Sequence, residues 1–319
     1  MTDQDIPVPR SLRELQRMFP DDRACADYLA EARWPEGFVC PACGSVRGWR
    51  LECRPTLWEC QGCSKQTSVT AGTIMHRSKI GLIAWFWAAW LVSTHSNGIS
   101  ARQLWFQLGF GSYKTAWLLL QKLRRSMVDP DREKLEGTVQ MDETFIPFRV
   151  AADPITRGRS TVGRMPVVGA VELVEFVAPN RNGDMVVKRG LGRVRLELAP
   201  GAIDRPILQG FCDRHFEEGT MIHTDGLRAY ANLERVEVEV VTRKYMDAHV
   251  ALPWIHRIFS NLKRWGMGTF HGFRPKHIQT YLREFEFRFN RRRHRDSSFL
   301  TILRIGCRLG PQPYAVITA

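Results

Sequence analysis

The sequence predicts an α/β protein in which a cysteine-rich module and a helical region lead into a larger domain with elements in the order βββαβαβα. Three observations carry this expectation. Two Cys-x-x-Cys pairs stand close together early in the chain, apolar residues between 79 and 128 recur at three- and four-residue intervals, and strand-like alternation begins after Asp129 and Pro130.

Length and charge set the frame. With 319 residues the chain has room for one sizeable domain and smaller modules. Its 44% hydrophobic and 25% charged residues are an ordinary globular composition, which excludes a fibrous or largely disordered chain. A net charge of +13 calls for a polyanion, either nucleic acid or an anionic membrane. The most apolar segment, residues 80–92, has 13 residues where roughly 20 are needed to span a bilayer. No basic-then-apolar leader opens the sequence, so a cytoplasmic protein that binds DNA and no membrane is expected.

Residues 1–35 are patterned for one or two short amphipathic helices, which Pro35 and Gly37 end. Residues 36–75 read as a zinc ribbon. Cys40 and Cys43 are separated from Cys60 and Cys63 by 16 residues, a spacing that delivers four thiolates to one tetrahedral zinc. Four protein ligands leave no position for water, so this single zinc is expected to be structural. Cys25, Cys53, Cys212 and Cys307 lie outside the pairs and are expected to be small buried hydrophobes.

Residues 76–130 are expected to be helical, with short helices at 100–108 and 113–127 around a Gly-containing turn, in the manner of a helix-turn-helix. Its second helix carries Lys114, Lys122, Arg124 and Arg125, and Lys114 and Lys122 are the expected DNA contacts. A plain helical linker with a solvated basic face is the competing reading.

Residues 135–295 form the larger domain, with strands expected at 137–146, 166–176 and 185–198, a helix at 203–216, and strands at 220–223 and 236–241 around a brief helix near 227–231. Helices follow at 253–264 and 275–293, and residues 296–319 are left as a C-terminal tail.

Two acids in this region point to chemistry. Asp142 lies inside the first strand, and Asp225 ends the fourth, with Gly226 permitting a sharp turn. Aspartate is uncommon in strands, and an edge or turn role would account for either residue alone. Together in this element order they suggest phosphoryl transfer, which needs hard oxygen ligands for two Mg²⁺ or Mn²⁺ ions, with Asp142 bridging them. The third ligand is expected on the helix at 253–264, where His256, Ser260 and Lys263 share one face. Glu284 and Glu286 are the next candidates. Residues 257–295 hold eleven Lys or Arg and two acids. Lys263, Arg264, Arg291, Arg292 and Arg293 are therefore expected to meet phosphates.

The order of these parts resembles the bacterial insertion-sequence DDE transposases with an N-terminal zinc ribbon, the ISXO-like transposase family. The resemblance is carried by the four cysteines and by residues 72–78 (GTIMHRS), 141–144 (MDET), 223–230 (HTDGLRAY), 260–263 (SNLK), 268–272 (GTFHG) and 284–290 (EFEFRFN). It implies a ribonuclease-H-like catalytic domain, cleavage at the element's ends, and attack of the exposed 3′-hydroxyl on target DNA. It also implies a homo-oligomer on paired ends and a nucleoid-associated location in a bacterium. The family commonly has glutamate as third ligand, with a basic residue seven positions later; here His256 and Lys263 fill that frame. Two other readings compete: an inactive DNA-binding regulator descended from a transposase, and a nuclease that cuts without joining.

Overall fold

Ser11 and Asp21 each accept a hydrogen bond from the backbone N–H three residues on, and so begin the helices α1 (Leu12–Met18) and α2 (Asp22–Arg33). The computed structural model describes residues 8–148, 163–242 and 248–319. Two units organise these residues, one running to Pro130 and resuming at Arg291, the other spanning Asp131–Asn290.

In the first unit, α2 supports a small antiparallel sheet of β1 (Gly48–Leu51), β2 (Arg54–Cys60) and β3 (Gln66–Ser68). Trp34 at the end of α2 meets Phe38 and Trp58 edge-on, with ring centroids 5.0 and 5.3 Å away. Arg50 pairs with Asp27 of α2 and lies over Trp58. The helices α3 (Leu82–Thr94), α4 (Ala101–Leu108) and α5 (Tyr113–Arg125) follow. Gly109, in the left-handed region at φ 62°, ends α4, and the Ser112 hydroxyl accepts from Lys114 N–H to start α5. These features form the turn expected between two short helices.

The second unit is a mixed sheet of β4 (Thr138–Pro147), β5 (Arg164–Pro179), β6 (Met185–Leu198), β7 (Thr220–Thr224) and β8 (Val236–Val240). Their order is β6-β5-β4-β7-β8, with β4, β5 and β6 antiparallel and β7 and β8 parallel to β4. This is the ribonuclease-H-like arrangement. The helix α6 (Arg205–His215) covers one face, packing on Val139, Met141, Val168 and Ala170. After α7 (Ala248–Ala251), α8 (Pro253–Phe270) and α9 (Ile278–Asn290) cover the other face, packing on Ile146, Val167, Val171, Val194 and Leu196. Alternation along β4 thus sends Val139 and Met141 to the α6 side and Ile146 to the α8 side.

Residues 296–319, expected as a tail, instead contribute α10 (Arg295–Arg308) and α11 (Tyr314–Thr318) to the first unit. Phe299 of α10 joins Phe19, Phe86 and Trp90 in an aromatic cluster, which explains why this segment is ordered. Cys25, Cys212 and Cys307 are buried as expected, whereas Cys53 is exposed in the tight turn between β1 and β2. Among the described residues no helix is long and apolar enough to cross a membrane.

Candidate active site

Backbone register brings the two acids together. β4 and β7 are parallel neighbours with Gln140 opposite His223, so the same register carried on by two residues sets Asp142 level with Asp225. Adjacent strands lie about 4.8 Å apart, and matched positions point to the same face. Gly226 then turns the chain at φ +87°, where an added Cβ would also strike Val240. Leu227 N–H donates to the Asp225 carboxylate at 3.0 Å, and the Thr242 hydroxyl donates to its carbonyl.

The helix carrying His256 is fixed to the same strand. Leu252 supplies no side-chain cap to α8; the side-chain amide oxygen of Gln140 accepts from Trp254 and Ile255 N–H at 3.0 and 3.2 Å instead. Gly169, paired with Asp142 across β4 and β5, leaves room for Phe259 of α8; a Cβ there would lie 2.6 Å from the Phe259 ring. With α8 this close, His256 Nε2 lies 3.2 Å from Asp142 Oδ2.

Asp142 is 6% exposed. Burial raises its pKa from 3.8 to about 7, and the charges of Glu143 and Asp225 push the same way, against the hydrogen bond from Glu143 N–H and the charge of Lys263. Burial also lowers the pKa of Lys263, as does Arg164, while Asp142 opposes them. Asp142 thus contacts His256 and feels the charges of Asp225 and Lys263, although Asp142, Asp225 and His256 do not close into a set as tight as the cysteines. Among the described residues the only three or more His, Cys, Asp or Glu with ligand atoms all within 4.8 Å are Cys40, Cys43, Cys60 and Cys63.

Two residues outside the sequence expectation complete the site. Tyr230, buried on the turn after Asp225, donates to Glu143 Oε1 at 2.6 Å. That bond ties the loop bearing Asp225 to the strand bearing Asp142. Burial raises the pKa of Glu143, Tyr230 lowers it and Asp225 raises it further. Their sequence signal was proximity alone: Glu143 follows Asp142, and Tyr230 closes the 223–230 motif.

The donor set suits a hard divalent cation. A buried carboxylate beside two further acids is relieved by positive charge, and 3.2 Å between histidine and aspartate matches adjacent ligands on one octahedral ion, roughly 3 Å apart. Of the reserve acids on α9, Glu286 serves the fold, accepting from Leu196 N–H and pairing with Arg132 at 3.1 Å, and Glu284 is wholly buried.

In the ribbon, Cys40 and Cys63 sulfurs are 3.7 Å apart and Cys43 and Cys60 sulfurs 3.5 Å apart. Thiolates on a tetrahedral zinc with bonds near 2.3 Å would sit about 3.8 Å apart. Burial pushes the Cys60 thiol up, but hydrogen bonds from Cys63 and Gly62 N–H and from neighbouring thiols bring it down to about 6. The four cysteines therefore support one structural zinc.

The expected DNA contacts separate. Lys114 and Arg264 are exposed, but Lys122 is only 8% exposed and lies over the Trp85 ring, and Arg124 is buried beside it. The expectation for Lys122 is thereby corrected: packing against α3 holds it in the core. Arg293 is exposed in the first unit, and Arg291 and Arg292 are half-buried there, with burial lowering both pKa values.

Residues 134–290 match the ISXO2-like transposase domain, and residues 20–66 match the transposase zinc-ribbon domain. A Halobacterium salinarum protein described as an uncharacterized protein in transposable element ISH50 is 29% identical over 295 residues, covering 85% of this chain and 92% of the relative.

Proposed function

Because the chain belongs to the insertion-sequence transposases that join a zinc ribbon to an ISXO2-like catalytic domain, we propose that it cuts element ends and joins them to target DNA at Asp142, Asp225 and His256. These three residues would hold the Mg²⁺ or Mn²⁺ that the reaction requires. Bound metal supplies Lewis acidity at the scissile phosphate and lowers the pKa of the attacking oxygen. In the first step water attacks phosphorus, the bond to the 3′-oxygen breaks, and that oxygen leaves as a 3′-hydroxyl. In the second, the 3′-hydroxyl attacks a target phosphodiester and displaces the target's own 3′-oxygen.

Each residue has a separate task. Asp142 and Asp225 contribute charge, His256 contributes a neutral nitrogen, and Tyr230 with Glu143 holds the Asp225 loop at its register. Lys263, beside Asp142, meets a phosphate oxygen, and Arg264, Arg291, Arg292, Arg293 and Lys114 bind backbone phosphates. Work on chromosomal DNA places the chain in the cytoplasm at the nucleoid, as a homo-oligomer on paired ends.

The observation carrying this reading is the contact of His256 with a buried aspartate whose proton is retained to about pH 7 by burial and two neighbouring acids. The test is strand transfer of a pre-cut element end into plasmid DNA in Mg²⁺ or Mn²⁺. A joined product with the wild type and none with Asp142→Asn is expected. Cleavage without joining would make the chain a nuclease, and DNA binding without either reaction would make it a regulator.

A further inference from the structure

The turn between α4 and α5 carries an aromatic surface that the cleavage chemistry does not use. Phe106 is 87% exposed, and Trp105 and Tyr113 are exposed beside it. Their arrangement is fixed: Trp105 Nε1 donates to the Phe110 carbonyl at 2.6 Å, and the Trp105 and Tyr113 rings meet edge-on with centroids 6.4 Å apart. An open cleft of about 570 Å³ is lined by Trp105, Phe106 and Phe110, with Arg102 and Gln103 at its edge. Arg102 and Phe106 are four residues apart on α4, so they stand on one face.

The charge around this cleft has one sign. Between residues 97 and 128 the sequence has no Asp or Glu and five Lys or Arg, of which Arg102 and Lys114 are exposed. A largely apolar cleft whose only charged lining residue is the cation Arg102 is complementary to an apolar surface attached to an anion, which describes a nucleobase on its phosphate chain. A helix that reads paired DNA presents polar side chains to base edges in the groove. Here the first turn of α5 presents Tyr113 and Lys114, its further cations Lys122 and Arg124 are buried, and α4 presents flat rings. Rings stack on base faces, which are open only where bases are unpaired.

We propose that the α4–α5 turn binds unpaired nucleobases of DNA, with a base stacked on Phe106 in the cleft, Arg102 on the adjoining phosphate, and the Gln103 amide against the base edge. The amide offers both a donor and an acceptor, so it suits any base. A site of this kind holds the frayed or single-stranded DNA that cutting an element end exposes. It takes its partner class, DNA, from the transposase reading and depends on none of the metal ligands.

The test measures binding of the zinc-loaded full chain to labelled oligodeoxythymidine, to its duplex with oligodeoxyadenosine, and to an abasic oligomer, without added divalent metal. Phe106→Ala is expected to weaken single-strand binding about tenfold or more and duplex binding less than about twofold, on the scale of one lost base stack. Phe106→Trp restores single-strand binding, and the abasic oligomer binds wild type and Phe106→Ala alike. Phe106 is too exposed for its loss to unfold the chain, and the unchanged duplex affinity checks this. Equal single-strand affinity of wild type and Phe106→Ala overturns the proposal. So does a Phe106→Ala chain that changes only its sedimentation, which would make the face a contact between copies. Failure of wild-type cleavage in Mg²⁺ would overturn the catalytic proposal and leave this one standing.

Discussion

The ribbon and the catalytic sheet hold their ligands by opposite means. Cys40, Cys43, Cys60 and Cys63 lie on two short turns whose own backbone bonds, Gly44 N–H to Cys40 and Ser64 N–H to Cys60, already curl the sulfurs toward one point. Asp142, Asp225 and His256, the ligands of the proposed site, lie on three elements and are brought near one another only because β4 pairs with β7 and Gln140 caps α8. The first site is local and closed, so its metal stabilises a fold too small to have much core. The proposed second site is assembled by a fold that has its own two cores, so a metal held there would be free to serve chemistry.

The strongest test of that contrast is zinc removal. Cys60→Ser should lose zinc and unfold the ribbon, since structural zinc supplies roughly 10–16 kcal/mol in small zinc-finger peptides. Hydrogen exchange should show protection lost over β1–β3 and retained over β4–β8. Protection lost throughout would mean that the catalytic sheet depends on the ribbon.

At the other site, Asp225→Asn should lower cleavage by more than about a hundredfold, because even outer partners of a metal ligand are worth about 10- to 100-fold. Its thermal midpoint and duplex affinity should stay near wild type, and a matching fall in the midpoint would show the acid to be structural. Tyr230→Phe is the milder version, removing one hydrogen bond from the half-buried Glu143 at a cost of about 1 kcal/mol. The Mg²⁺ concentration for half-maximal cleavage should rise, and an unchanged Mg²⁺ dependence would separate Tyr230 from the Asp225 loop.

A pH slope tests the same site without metal. Folded Asp142 keeps its proton up to about pH 7, whereas the unfolded carboxyl loses it near its ordinary value of 3.8. The folded chain therefore binds more protons across that window, and metal-free stability should fall as pH rises through it. Asp142→Asn should flatten the slope in urea unfolding followed on the catalytic domain, and a slope of equal size in the variant would assign it to other groups.

Legibility followed the same division. The ribbon is legible because its four ligands and its spacing are local, and the succession of strands and helices is legible from alternation and breaks. Asp142 and Asp225 were visible as acids in apolar strands. Gln140 was not, because an amide in a strand becomes a helix cap only once α8 crosses it. The Tyr230 to Glu143 bond likewise needs β4 beside the turn after β7. For Lys122 spacing outweighs charge: it stands three residues after Leu119 and beside Leu123, on the face α5 buries. The segment at 296–319 was read as a tail although Phe299, Ile302, Leu303 and Ile305 recur at helical spacing and are all buried.

In the proposed site His256 is a metal ligand in place of a carboxylate. End cleavage by wild type, His256→Ala and His256→Glu at matched Mg²⁺ and Mn²⁺ tests it most directly. The account predicts that the alanine variant loses cleavage while keeping its thermal midpoint, that glutamate restores measurable cleavage through a hard oxygen, and that Mn²⁺ serves the wild type at least as well as Mg²⁺. Undiminished cleavage by His256→Ala would contradict it.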